Sequence, residues 1–342
     1  MPQTEITASV PVLDEIGRSQ NFGWARSACF LYDPALLRAP RRRISEGDRY
    51  ILVSNTHLVI FELLDDGYLG YLFVNVVSLK SKKHSTHSYI TPFSMGSFDL
   101  PRDSNSESIK FRQKKILLNF ANMEGGVRII KVDIPKFNHG YTLRGQVVLT
   151  PPPEAESLVT NMPWRGVKDA FSYTRRSPWY SAEGVIQFGI EELVFTRGNG
   201  WGIFGWSRGV RPRSDLRFWA AGSGQVGGRQ VGLSVGYNSA DSSLGTENAF
   251  FLDGKIHKLD QVSFHIPSGG HLEPWRFTSN DKRLEMIFTP QQERDENHQM
   301  FFYSLKRRQL FGLFTGKVIL DDGSELEFHD IAGMTERGKS RL

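Results

Sequence analysis

The feature that most constrains this chain is a rhythm. Runs rich in β-branched and aromatic residues recur, and turn chemistry cuts each one off. Arg49–Leu64 is such a run and ends at Asp65-Asp66-Gly67; Tyr68–Leu79 follows. Ser81–Ser88 reads as a polar loop. Lys110–Phe120 and Val127–Ile134 flank Met123-Glu124-Gly125-Gly126 and predict a hairpin. Tyr141–Leu149 stops at Pro151-Pro152-Pro153, which predicts a stiff surface connection, and Glu154–Arg165 is the one stretch left for a helical turn. The second half repeats the pattern in Leu216–Ala221, Gln230–Tyr237, Asn248–Leu252, Lys255–Val262, Lys282–Phe288, Phe311–Leu320 and Glu325–Ile331. Asp253-Gly254 and Asp321-Asp322-Gly323 are its strongest turns. Regularly spaced short strands predict an all-β chain of antiparallel barrels or sandwiches, with under about a tenth of its residues helical.

At 342 residues the chain exceeds the roughly 250–300 at which a single core stops growing. The expected division is an extended N-terminal segment over 1–24, a first β-barrel-like domain over 25–170 and a second over 171–342, with a soft boundary between 150 and 185. The balance of 42 basic and 37 acidic residues, net +5, gives solubility without pointing to nucleic acid. One cysteine, Cys29, excludes an internal disulfide and a cysteine-rich metal site. His84 and His87 lack a third ligand nearby, so neither metal nor cofactor is expected. No basic start leads into an apolar run, and no apolar run approaches a membrane span of roughly 20 residues. The expected location is the cytoplasm.

Two catalytic-looking motifs fail on their surroundings. Gly222-Ser223-Gly224-Gln225-Val226-Gly227 fits a dinucleotide fingerprint, but a helix must follow the last glycine, and Gly228–Tyr237 alternates like a strand. It reads as a glycine-rich hairpin loop. Gly232-Leu233-Ser234-Val235-Gly236 fits a nucleophile elbow, yet the alternation of Val231, Leu233 and Val235 puts Ser234 inside a strand. The basic clusters Arg41–Arg43, Thr174–Arg176 and Lys306–Arg308 read as solvated strand ends.

The tryptophans say more. Trp201, Trp206 and Trp219 fall in one short stretch with Arg208, Arg211, Arg213, Asp215 and Arg217 between them. Such a segment is either a core with arginines at its rim or the wall of an aromatic cavity, and in a barrel these coincide. Alternation puts Arg217 and Trp219 on one face, opposite Phe218. The candidate ligand-binding residues are Trp206, Arg208, Arg217, Trp219, Tyr237, Asn248 and Trp275. The candidate catalytic residues come from register. With Asp253-Gly254 as a two-residue turn, Leu252 faces Lys255, Phe251 faces Ile256, and the count continues to Glu247 facing Asp260. Two carboxylates that close would keep one proton between them and serve an acid catalyst. Solvation, a neutralising Lys258 or arginine such as Arg208, or a one-residue bulge would each undo this.

Longer stretches carry a resemblance. The opening EITASVPVLDEIGRSQNFGWARSACFLYDP, the middle FSYTRRSPWYSAEGVIQFG with GWSRG and RFWAAGSG, TENAFFLDGKIHKLDQVSF, and the closing LEMIFTPQQER and QLFGLFTGKVILDDGSELEFHDIAGMTER together resemble the domain-of-unknown-function 2804 family. That family is similar to tandem lipocalin-like (calycin) proteins, which include carotenoid hydratases and fungal Diels–Alder cyclases. The resemblance implies two antiparallel lipocalin-like β-barrels in tandem and carries over no catalytic residue. The sequence departs from the family pattern at Gly47 and Arg49, where aromatics are expected, at Gly205 and Ser207, where an acid and a glycine are expected, and at the terminal Arg341-Leu342. If those positions line a cavity, this chain binds something different or has lost an activity.

The leading expectation is a protein that binds, and acts on if it is an enzyme, a lipophilic small molecule in an aromatic-lined barrel cavity. A non-enzymatic carrier or stress-related binding protein with the same fold is the second. A carbohydrate-active protein is the third; it would need an open groove flanked by two carboxylates.

Overall fold

The computed structural model describes residues 3–138, 140–238, 240–300 and 303–341. Met1, Pro2 and the terminal Leu342 lie outside them. The described residues form 24 strands and no α-helix; three single turns of 3-10 helix sit at Pro34–Leu36, Arg41–Arg43 and Glu124–Gly126. Among the described residues no helix is long and apolar enough to cross a membrane.

The first sheet follows a lead-in of short strands β1 (Val10–Pro11), β2 (Gly23–Ala25) and β3 (Phe30–Leu31). Four long strands then meander: β4 (Ile44–Val53), β5 (His57–Asp65), β6 (Leu69–Ser78) and β7 (Lys83–Pro92). After them come β8 (Ile109–Gln113), β9 (Ile116–Asn122), β10 (Arg128–Asn138), β11 (Tyr141–Thr150), β12 (Leu158–Pro163), β13 (Phe171–Phe188), β14 (Glu191–Phe195) and β15 (Trp201–Val210). The order is β7-β6-β5-β4-β15-β13-β11-β10-β9-β8, with β12, β14 and β2 attached at its side. The edges curl toward each other. Tyr89 of β7 packs edge-on to Phe111 of β8, and His87 of β7 stacks on Phe137 of β10.

The second sheet contains β16 (Ser214–Val226), β17 (Arg229–Tyr237), β18 (Ala249–Leu252), β19 (Lys255–Lys258), β20 (Val262–His265), β21 (Trp275–Ser279), β22 (Leu284–Met300), β23 (Tyr303–Ile319) and β24 (Glu325–Arg341). Its order is β19-β18-β17-β16-β24-β23-β22-β21-β20, and Phe264 of β20 meets Phe218 of β16 across the curl. The chain is thus two curled antiparallel half-barrel sheets in tandem, as the strand rhythm and the resemblance predict.

Local chemistry explains the turns. The Arg49–Leu64 run folds back at Ser54 because its hydroxyl accepts from the backbone N–H of His57, setting Tyr50 opposite Phe61. Asp253 and Gly254 both have positive φ, 50° and 79°, as a primed two-residue turn requires. Their register is the expected one down to Ala249 opposite Lys258.

Four local expectations need correction. Of Ser81–Ser88, Ser81 and Lys82 make a turn and the rest is strand, because β7 is a half-exposed edge whose polar residues face water. Lys110–Phe120 bends at Lys114, which takes positive φ, so it is the hairpin β8–β9. Glu154–Arg165 holds no helical turn; Leu158–Pro163 pairs with both β13 and β2. Gly222 and Gly224 lie inside β16, where a Cβ on Gly224 would come 2.9 Å from Ile331, and only Gly227-Gly228 make the turn.

Three cores follow from strand alternation. One fills the first barrel around Tyr50, Phe61, Phe120, Phe204 and Trp206. A second fills the other barrel around Leu233, Phe250, Phe277, Phe288 and Phe314. The third joins the barrels through their outer faces, with Ile51, Ile60, Phe73 and Ile203 packed against Trp219, Phe311 and Met334. The N-terminal segment crosses between them. The Thr4 N–H donates to the Leu244 carbonyl, and the Thr246 N–H donates to the Gln3 side chain.

Candidate functional site

Of the cavities in the described residues, two are lined by the sequence-predicted side chains. The first lies at the mouth of the second barrel and has a volume of about 370 Å³. Phe218, Val262, Phe264, Ile266 and Met162 give it an apolar wall, while Thr246, Glu247 and Asn248 supply a polar end. Phe218 and Phe264 stand 5.9 Å apart at this mouth, and the Arg337 guanidinium lies 5.7 Å over the Phe218 ring. Glu247 is the one carboxylate in the lining. Its Oε1 accepts from the Thr174 hydroxyl at 3.0 Å, and its Oε2 meets Arg176 at 3.4 Å. Asn248 is pinned from both sides, accepting from the Gly236 N–H and donating to the Asp260 carbonyl.

The second cavity is a cleft of about 120 Å³ between the two barrels. Its cause is a block of small residues at neighbouring register positions. Gly205 pairs with Arg49, Ser207 with Gly47 and Gly209 with Ser45, so over these three same-face pairs Arg49 is the one long side chain. Arg217, Trp219, Glu336 and Gly338 of β16 and β24 form the facing wall. Cationic side chains outnumber carboxylates in this lining seven to five. Both sheets contribute to a chain of ion pairs along it. Arg49 meets Glu62 at 2.7 Å and Glu336 at 3.1 Å, and Arg307 meets Glu62 at 2.6 Å and Glu296 at 2.8 Å. Burial pushes the carboxyl of Glu296 upward, but Arg307, His298 and Arg294 outweigh it and hold the group far below the ordinary carboxylate range. Glu336 is likewise held low, by Arg49 and Arg307 against its burial. The Arg176–Glu247 pair stands between the two cavities, since Arg176 lines the cleft and Glu247 the mouth pocket.

The structure distributes the sequence-predicted residues unequally. Arg217 and Trp219 face the cleft and Phe218 the mouth pocket, as alternation requires. Tyr237, Glu247 and Asn248 meet at the mouth pocket. Arg208 is spent on structure: it pairs with Asp48 at 2.9 Å, donates to the carbonyls of Pro101, Gly47 and Ser207, and lies 4.4 Å over Trp206. Trp206 itself packs against Tyr173 in the first core. Trp275 is in the second core, donating to the His271 carbonyl. Asp260 accepts from Gln3 at 2.7 Å and Asn280 at 2.8 Å, so it and Glu247 share no partner. The arginine that meets Glu247 is Arg176 rather than Arg208, and Lys258 donates instead to Thr246 and to the carbonyls of Asn248 and Leu259. Ser234 is buried in β17 and accepts from the Trp219 indole at 3.1 Å. The four family departures Gly47, Arg49, Gly205 and Ser207 all line the cleft. Reading the sequence missed Arg176, Arg211 and the Arg49–Glu62 pair. The last was within reach, because Arg49 and Glu62 face each other once the turn at Ser54 is set.

Among solved structures, CghA superposes with a TM-score of 0.56, at 13% identity over 88% of this chain and 89% of CghA. CghA with Sch210972 gives 0.54 at the same identity and coverage. Kievitone hydratase from Nectria haematococca aligns with all of this chain and 97% of its own, at 8% identity and a TM-score of 0.49. The likeness to CghA is one of fold. No functionally curated protein matches the sequence. The description of a domain of unknown function, DUF2804, matches residues 3–342, and the chain belongs to the DUF2804 family.

Proposed function

We propose that this protein binds a lipophilic small molecule carrying one polar group, in the mouth pocket of its second barrel. The observation that carries this reading is the pocket's make-up: about 370 Å³ with an apolar wall and a single carboxylate, beside barrel interiors packed with their own side chains. Glu247 already accepts from Thr174 and Arg176, and each oxygen keeps capacity for one more donor. It suits a ligand hydroxyl or ammonium better than the acid role expected from a carboxylate pair, since Asp260 is engaged elsewhere. In a catalytic version of this protein, Glu247 is the group positioned to take a proton. CghA, whose fold is shared, was solved with Sch210972, which agrees with a small-molecule role for such barrels but carries no substrate over.

The test is native mass spectrometry of the purified protein, followed by melting-temperature shifts with terpenoids, fatty acids and quinones. Ile266 lies on the pocket wall and is exposed, so Ile266→Asp leaves the fold intact while placing a charge against the ligand. The expected result is a compound that stabilises the wild type and fails to stabilise Ile266→Asp. Glu247→Gln should weaken binding of a hydroxylated compound more than that of its hydrocarbon analogue. A wild type that responds to none of the compounds, or an Ile266→Asp that responds equally, overturns the reading.

A further inference from the structure

The cleft between the barrels poses a separate question, because several of its buried charged side chains keep an unpaired atom. Arg211 is 7% exposed, and only its Nη1 is engaged, to Asp66 at 2.7 Å. Its Nε and Nη2 have no partner among the described residues. Arg176, 9% exposed, gives its Nη2 to Glu247 and its Nη1 to the Trp206 carbonyl at 3.4 Å, and its Nε is unpartnered. Asp215, 6% exposed, receives Arg217 on Oδ2 at 3.4 Å, while Oδ1 receives nothing. All three side chains line the cleft. A buried polar group left unpaired costs about 1–3 kcal/mol, more when charged, so three orphan guanidinium N–H groups and one orphan carboxylate oxygen in one cavity call for a complementary guest.

We propose that the cleft binds a small oxyanion that also carries a hydroxyl, a hydroxy acid or a hydrogen phosphate. Its oxygens accept from Arg176 Nε and from Nε and Nη2 of Arg211, and its O–H donates to Oδ1 of Asp215. The planar guanidinium of Arg211 offers two adjacent donors, the geometry that matches a carboxylate or phosphate edge. Three of the four unpaired atoms are guanidinium nitrogens, which favours an anion over a neutral guest. A volume of about 120 Å³ admits a compact group and no long chain. The small residues shape the approach to the arginines: Arg176 packs over Gly205, where a Cβ would come 3.1 Å from its Nη1, and a Cβ at Gly338 would meet nothing within 4 Å.

Calorimetric titration with inorganic phosphate, malate and sulfate tests this at constant ionic strength and low concentration, where general salt effects on stability are absent from the readout. Phosphate and malate report the two sources of the same chemistry. Sulfate, which has no O–H at neutral pH, should bind about tenfold more weakly than the better of them. Two variants keep the fold and remove the site. Arg211→Lys retains a cation for Asp66 but loses the free pair of donors, and should weaken binding about tenfold or more. Gly338→Glu places a tethered carboxylate in the open space beside β24, and should raise the melting temperature while abolishing the titration. Ile266→Asp, which disables the mouth pocket, should leave the titration unchanged, so failure at one site is distinguishable from failure at the other. Absence of binding by both phosphate and malate overturns the proposal. So does binding that both Arg211→Lys and Gly338→Glu retain, which would identify an adventitious ion only.

Discussion

Arg208 illustrates how this chain uses a charge as a structural part. Its guanidinium holds Asp48 and three backbone carbonyls in a fully buried setting over Trp206. Removing it strands the Asp48 carboxylate, whose burial already pushes its pKa up against the pull of Arg208. Arg208→Met should therefore cost about 3–5 kcal/mol in urea unfolding. Asp48→Asn added to that variant should recover part of the loss; an unchanged double variant would mean that the bonds to Pro101 and its neighbours dominate instead. From sequence, Trp206 and Trp219 look alike, each an aromatic in an alternating strand beside arginines. Trp206 lies in the core of the first barrel, and Trp219 lies between the barrels, in the core that joins them and at the edge of the cleft. The reason is that β4, β5 and β6 and their neighbours are buried on both faces, one against the barrel interior and one against the other barrel. Alternation then distinguishes two faces without saying which is inside. Gly338 is equally silent, because a cavity made by missing side chains leaves no residue to notice.

Among the elements, the β18–β19 hairpin shows how far register carries. A primed turn fixes the pairing, and the structure follows it to Ala249 and Lys258. One further bond joins the Leu259 N–H to the Asn248 carbonyl. Beyond that, Asn248 uses its side chain on Asp260 and Gly236, the ladder ends, and Glu247 turns toward β13 while Asp260 turns toward Gln3 and Asn280. Register inside a hairpin is legible; what happens after its last bond is not. The long pair β22–β23 sets Glu296 opposite Arg307, and β23–β24 sets Gln309 opposite Glu336, where they hydrogen bond at 2.7 Å. Glu296 and Glu336 have folded-state pKa values below the ordinary glutamate value of 4.5. Their contribution to stability is complete above that value and drains away as pH falls below it toward the folded-state values. The melting temperature should drop steeply on acidification below about pH 4.5. Glu336→Gln should lower stability at neutral pH and flatten the acid slope. An equally steep slope in the variant would place the acid sensitivity elsewhere.

For the whole molecule, the two barrels are held by a shared apolar core rather than by a linker, with Phe311, Met334 and Trp219 of one sheet against Ile51, Ile60 and Phe73 of the other. The expected consequence is one cooperative unfolding transition. Phe311→Ala should cost about 3–5 kcal/mol and shift that single calorimetric peak intact. Two separated peaks, or a loss confined to one half, would show that the barrels unfold independently. The tandem barrels were readable because strand length and turn chemistry are local. The closures were not, because β4 joins β15 and β16 joins β24 across long intervals of sequence. The rim of the mouth pocket depends on an interval longer still. Gln3 accepts from both the N–H and the hydroxyl of Thr246, 243 positions away. At a synthesis rate of roughly 5–20 residues per second, Gln3 leaves the ribosome about 10–50 seconds before its partner does. For that time the N-terminal segment is held only by local bonds, such as those from the Trp24 N–H to the Thr4 carbonyl and from the Val10 N–H to the Cys29 carbonyl, and Gln3 waits for its partner. The pocket is therefore finished late, in an order set by translation, and any nascent-chain factor that occupies the segment early would also decide when the site can first receive its ligand.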